Sequence, residues 1–193
     1  MIEAIVLAAG KGERLGMIKP LLLIDNEPAL ARVIRAVKQT SVKQTIVVLG
    51  YAADKIMNTI DLSDCRVVIN QEFGSGMSSS LRVGIKSLSP RADGFLILLA
   101  DMPYIGLGTI QTVVAAGTTG ARIVAPYYHG QRGFPVYLHK SCCKELIATL
   151  TGDIGARDFI AKYQEQLLGV EVDDSGAVSD IDRLETLGEK KSG

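Results

Sequence analysis

The sequence predicts an α/β domain built on a mostly parallel sheet covered by helices on both faces. Two observations carry this. Runs of four to six apolar residues, bounded by turn residues, recur along the chain and read as buried strands. Segments with apolar residues at helical spacing lie between them, and that alternation is the pattern of a parallel sheet with helical crossovers. A third observation concerns function. In such folds ligands bind beyond the carboxyl ends of the strands. Ala9-Gly10, Asn70 and Asp101 each follow a predicted strand, so they should share one rim although they are far apart in the chain.

The first strand runs from Ala4 to Ala9 and ends in a loop with glycines at 10, 12 and 16 and cations at 11, 14 and 19. Glycine permits positive φ and close approach to a ligand, and successive N–H groups in such a loop can form a concave seat for an anion. Lys11, Arg14 and Lys19 add positive charge, so the loop reads as a triphosphate cradle; a merely solvated first loop is the alternative. The third glycine comes one position too late for the dinucleotide fingerprint, and Gly16-Met17 excludes a P-loop. Leu21 to Ile24 is short and apolar. Asn26-Glu27-Pro28 then opens a helix with Pro28 at its first position, and Leu30, Val33, Ile34 and Val37 form its core face. Strands are predicted at Thr45 to Leu49, Arg66 to Asn70, Phe95 to Ala100, Ile123 to Ala125, Pro135 to Leu138 and Leu167 to Val172. Helices are predicted at Ala52 to Ile60, from Met77 through Leu88, at Thr109 to Ala116, at Ser141 to Leu150 and at Ile154 to Tyr163. A terminal helix follows Asp180-Ile181-Asp182, with 189–193 a frayed tail. Residues 1–193 read as one domain.

The totals exclude several functions. Lys plus Arg and Asp plus Glu balance at 21 each, so there is no electrostatic footprint for nucleic acid. Twenty glycines make roughly 10% of the chain, against about 7% on average. Cys65, Cys142 and Cys143 lack metal spacing, and an odd count argues against a disulfide framework; the adjacent pair reads as structural. No apolar stretch approaches the ~20 residues of a membrane span, and the amino terminus lacks the basic start of a signal peptide, so a cytoplasmic protein is expected.

The remaining chemistry is that of cations and acids. Asp101, at the mouth of an apolar strand, is a natural Mg²⁺ ligand, since that ion takes one or two carboxylates plus substrate phosphates; a helix cap is the alternative. Asp182 is the candidate second ligand, or else part of a solvated acidic turn. Ser78, Ser79 and Ser80, at a helix start, could face ribose, base or phosphate, or simply cap the helix. Asn70 offers a donor and an acceptor for a base or ribose. His129 and His139 read as surface or strand-end residues. No nucleophile elbow, zinc-protease motif or Cys/His pairing is present. Such a site suits phosphoryl or nucleotidyl transfer, which needs mainly positioning and charge neutralisation.

Several stretches, in order, resemble the molybdenum cofactor cytidylyltransferases of the nucleotidyltransferase superfamily. They are Leu7-Ala-Ala-Gly10 with Arg14-Leu-Gly16 and Lys19; Asn70 with Gly76-Met77-Ser78-Ser79-Ser80-Leu81; Ala100-Asp101-Met102-Pro103; Gly133-Phe134-Pro135-Val136; Gly152-Asp153-Ile-Gly155-Ala156-Arg157; and Asp180-Ile181-Asp182. The match runs from residue 2 to about 188. It implies a Rossmann-like, three-layer nucleotidyltransferase fold. It also implies attack by the terminal phosphate of molybdopterin on the α-phosphorus of CTP, with pyrophosphate leaving, and delivery of the product to a molybdoenzyme client. By the same matching, Ala8, Ala9 and Gly10 would contact the base, with Lys11 and Gly12 in the same loop. Arg14 and Lys19 would hold the triphosphate and act in catalysis with Asp101. Asp101 and Asp182 would bind Mg²⁺, and Asn70, Ser78 and Ser80 would help bind nucleotide. Gly133, Phe134, Pro135, Asp153 and Arg157 would face the acceptor. The chain departs from the family at Gly12, usually Ser; at Phe134, usually His; and after Asp182. Ala9 resembles the cytidylyl type, whereas guanylyl relatives usually carry Gly. Two other readings stay open: nucleotidyl transfer to a sugar phosphate or another phosphorylated metabolite, and a non-catalytic protein that binds and delivers nucleotide or cofactor.

Overall fold

The computed structural model describes residues 1–12 and 17–181. Strand β1 spans Ile2–Ala8, and all seven residues are buried, as a strand covered on both faces requires. After the first loop, a 3-10 turn at Lys19–Leu21 leads into a small hairpin, β2 (Leu23–Ile24) and β3 (Glu27–Pro28). Its tip is Asp25-Asn26, with φ of 50° and 65°, the left-handed pair a tight hairpin turn needs.

This hairpin corrects the expectation for Pro28. That residue pairs with Leu23 and is extended (φ −57°, ψ 137°), and helix α1 begins after it, at Ala29–Lys38. The hairpin is held from the helix side. Arg35 donates two hydrogen bonds, of 2.9 and 2.7 Å, to the Glu27 carboxylate, and that partner keeps the carboxyl below its usual pKa. The predicted core face, Leu30, Val33, Ile34 and Val37, is buried.

The chain continues through β4 (Gln44–Leu49), α2 (Ala53–Thr59) and β5 (Cys65–Ile69). A 3-10 turn, Phe73–Ser75, precedes α3 (Met77–Lys86). Next come β6 (Gly94–Leu99), α4 (Leu107–Thr118), β7 (Ile123–Tyr128), β8 (Gln131–Arg132) and β9 (Val136–His139). Helices α5 (Cys143–Thr149) and α6 (Arg157–Lys162) are shorter than predicted, and β10 (Leu167–Glu171) follows. The predicted terminal helix lies outside the described residues.

The main sheet runs β10-β7-β9-β6-β1-β4-β5, with β8 on β7. All neighbours on that path are parallel except β9, which is antiparallel to both β6 and β7. The reversal has a local cause. His129 and Gly130, at φ 47° and 75°, form a tight turn after β7, and the chain returns through β8 into β9. A parallel return would need a crossover of a dozen or more residues. His129 therefore sits at a hairpin tip, and the His139 side chain accepts the Ser141 N–H at the start of a 3-10 turn.

Two apolar layers flank the sheet. One joins Leu30, Ile34, Ile56, Ile110 and Val113 to it, and the other Leu81, Leu146, Phe159 and Ile160. Cys142 is buried in the second layer as a free thiol, and burial raises the pKa of both Cys142 and Cys143, which fits a structural pair. Among the described residues, no helix is long and apolar enough to cross a membrane.

Candidate active site

The parallel strands β1 and β6 end side by side. The Ala100 N–H donates to the Leu7 carbonyl at 3.0 Å, and beyond β4 the Tyr51 N–H donates to the Ala9 carbonyl at 3.1 Å. Above these ends lies an open cleft of about 730 Å³. Ala8, Ala9, Gly10, Lys11 and Gly12 line it from the first loop, Lys19 and Pro20 from the 3-10 turn, and Ala100 and Asp101 from the end of β6. The segment before α3 supplies Phe73 to Gly76, with Met77 and Ser80 from the first turn of the helix, and Asp153 enters from the loop before α6.

The two glycines described in the first loop play different parts. Gly12 has φ 60°, and a Cβ there would meet the Met17 carbonyl oxygen at 2.7 Å, so only glycine allows this approach of residue 12 to Met17. Gly10 needs no positive φ, contrary to the expectation for this loop. Nothing lies within 4 Å of a Cβ built on it, so its bareness keeps the cleft open.

Lys19 and Asp101 face each other across this floor, with Nζ 3.8 Å from Oδ2 and both side chains partly buried. Arg32 steadies the segment behind Asp101. Its Nε donates to the Pro103 carbonyl at 3.1 Å, and its guanidinium lies 5.8 Å from the Tyr104 ring centroid.

The expected nucleotide contacts from Asn70 and Ser78 fall behind the cleft wall. Asn70 is 2% exposed. Its amide donates to Ser79 Oγ at 2.8 Å and Ser80 Oγ at 3.0 Å, while Oδ1 accepts the Glu72 N–H at 3.0 Å. Those bonds occupy both ends of the side chain inside the wall, where it shapes the approach to α3. Ser78 is 1% exposed. Its hydroxyl donates to the Thr151 carbonyl at 2.9 Å and accepts the Gly155 N–H at 3.1 Å. It thus pins the 151–155 loop to the start of α3. Ser80 does line the cleft.

The expected acceptor residues separate in the same way. Asp153 reaches the cleft, and its Oδ1 accepts the Met77 N–H at 2.9 Å. Gly133, Phe134, Pro135 and Arg157 are not among the lining residues. Gly133 and Phe134 are tied by backbone bonds to Pro126 and Ala177, Phe134 packs on the core, and Arg157 is exposed at the start of α6. Arg14 and Asp182 lie outside the described residues. Among the described residues, no three His, Cys, Asp or Glu side chains gather as a metal cluster.

Among the lining residues that sequence reasoning missed are Pro20, Phe73, Gly74, Ser75 and Met77. The signal for Phe73 was an aromatic residue within a glycine and serine loop between a strand end and a helix, where no periodicity assigns it a face.

The family model described as the MobA-like NTP transferase domain matches residues 4–167. The chain is 25% identical over 194 residues to nicotine blue oxidoreductase of Paenarthrobacter nicotinovorans, covering 96% of this chain and 94% of that protein. The crystal structure of Rv0371c from Mycobacterium tuberculosis H37Rv superposes with a TM-score of 0.85 at 27% identity, covering 100% of this chain and 97% of that one. A complex of Rv0371c with manganese superposes with a TM-score of 0.82 at 26% identity, covering 97% of this chain and 98% of that one.

Proposed function

This chain belongs to the MobA-like NTP transferase family, and on that premise we propose that it transfers CMP from CTP to the terminal phosphate of molybdenum-loaded molybdopterin, releasing pyrophosphate. The observation that carries the reading is the Lys19–Asp101 pair, 3.8 Å apart on the floor of a glycine-lined cleft at the ends of two adjacent central strands. A triphosphate brought there meets cations from Lys11 and Lys19 and the open space over Gly10. The attacking group is a phosphate, already ionised near neutral pH, so the site requires no general base. The protein's part is to hold donor and acceptor in line and to neutralise charge.

The donor set fits a hard divalent ion. Asp101 offers oxygen at the cleft, and Mg²⁺ binds through one or two carboxylates and substrate phosphates without a closed protein cage. When bound, such an ion neutralises charge on the triphosphate. The manganese complex of Rv0371c supports divalent metal use by analogy, and Asp182 is the proposed second ligand. Arg14 is assigned to the triphosphate from its motif. Cytosine is favoured by Ala9, and Asp153 is the proposed contact on the acceptor side. A molybdoenzyme that accepts the product is the expected client.

The test is pyrophosphate release with CTP, Mg²⁺ and molybdopterin, in the native chain and in Asp101→Asn. The native chain should turn over, and the variant should lose at least about 100-fold, the order expected when a group stabilising transition-state charge is removed, while melting at an unchanged temperature. Near-normal turnover by the variant would remove Asp101 from the chemistry. Turnover with sugar phosphates but not molybdopterin would change the acceptor. The likeness over nearly the whole chain to a protein named an oxidoreductase supports one competing reading, oxidoreduction, so NADPH, as a general hydride carrier, belongs among the ligands tested.

A further inference from the structure

We propose that the Phe73 ring is a stacking platform for a flat heteroaromatic ring bound in the cleft. This rests on the reading that the cleft takes a nucleotide and a pterin-bearing acceptor, and it names the side chain that would grip one of their rings.

Phe73 is the aromatic residue of a lining otherwise rich in small ones: Ala8, Ala9, Gly10, Gly74 and Ser75 among them. Its seat is made for it. A Cβ at Gly50 would stand 2.6 Å from Phe73 Cβ and 2.9 Å from Cγ, so the ring rests on bare backbone just past β4. Tyr51 braces it edge-on, with centroids 6.4 Å apart and planes at 60°. The Lys11 ammonium stands 5.9 Å from the ring centroid, at the outer limit of about 6 Å for a cation over a ring. Lys11 is exposed and belongs to the loop assigned to phosphates. A triphosphate would draw that ammonium off the ring and leave the face to a base. A phenyl ring held half-buried in the cleft, braced at its base and edge, is placed for stacking, which tolerates any base because each has a π-face.

Two sources supply such a ring, the nucleobase of the donor and the pterin of the acceptor. The chain contains no tryptophan, so Phe73→Trp installs a single indole at the site, excited apart from the tyrosines. The experiment titrates native chain, Phe73→Trp and Phe73→Leu with CTP, with tripolyphosphate and with 6-hydroxymethylpterin, following indole emission and calorimetric affinity. CTP should quench the indole and tripolyphosphate should not. Phe73→Leu should weaken CTP by about five- to 150-fold, the range seen when a stacked aromatic is truncated, with tripolyphosphate affinity unchanged. Quenching by the pterin and not by CTP keeps the platform and assigns it to the acceptor. The inference is overturned if the native chain binds CTP or the pterin, Phe73→Leu binds them as well, and the indole responds to neither. If the native chain binds no CTP, the donor assignment under the proposed function fails, and the platform is judged by the pterin arm alone.

Discussion

Lys19 and Asp101 are better explained by chemistry than by stability. Their side chains are 19% and 29% exposed, and an ion pair partly open to water contributes only about 0–1 kcal/mol to folding. Lys19→Met should therefore move the melting temperature by no more than about 4 °C, while kcat/KM for CTP falls by about 100-fold or more, as expected for loss of a charge-stabilising donor. A melting drop with catalysis intact would reverse that assignment. Asp101 and the first loop were legible in the sequence because a strand end, a glycine run and a following Met-Pro leave little choice of place. Asn70 and Ser78 were misplaced for the opposite reason. A polar residue just past a strand or at a helix start satisfies the same local pattern whether it faces a ligand or the protein interior, and the partners of Ser78, Thr151 and Gly155, are distant in the chain.

The element that shapes the Asp153 side of the cleft is the start of α3, where the 151–155 loop docks. Gly76 has φ 95°, and a Cβ there would stand 2.5 Å from the Gly152 carbonyl oxygen. Gly76→Ala combines a strained backbone with a clash against backbone, so a cost of about 2–3 kcal/mol is expected, seen as a melting temperature lower by about 4–12 °C for a chain of this length. Ser78→Ala leaves the Gly155 N–H without its partner in a buried setting, at about 1–3 kcal/mol. Denaturant unfolding should show that loss with an unchanged m-value. A neutral Ser78→Ala would mean that the loop is held by the Ser78 and Met77 backbone N–H bonds to Gly152 and Asp153 alone. Helical periodicity found α1 and α3 because each buries an apolar stripe. It missed the Leu23–Pro28 hairpin because two-residue strands carry no period, and Asn26, half of the Asp25-Asn26 turn, was read with Glu27 and Pro28 as the opening of a helix.

At the scale of the molecule, the buried strands led to the expectation of a parallel sheet, and the cleft lies where such sheets bind ligands, beyond the carboxyl ends of β1 and β6. The reversal of β9 was not legible, since an apolar strand reads the same in either direction; only the short return through His129 and Gly130 decides it. The same topology brings residues 8–12, 73–77, 101 and 153 to one cleft, which is the basis for treating them as one binding unit. The most direct test of that claim is the melting temperature of the native chain against CTP, GTP, ATP, UTP, dTTP and NADPH, each with and without Mg²⁺. A ligand at about 100 times its dissociation constant adds roughly 2.7 kcal/mol, or about 5–11 °C here. The account predicts that rise with CTP and Mg²⁺ together. A rise with NADPH alone, or none with any nucleotide, would contradict it.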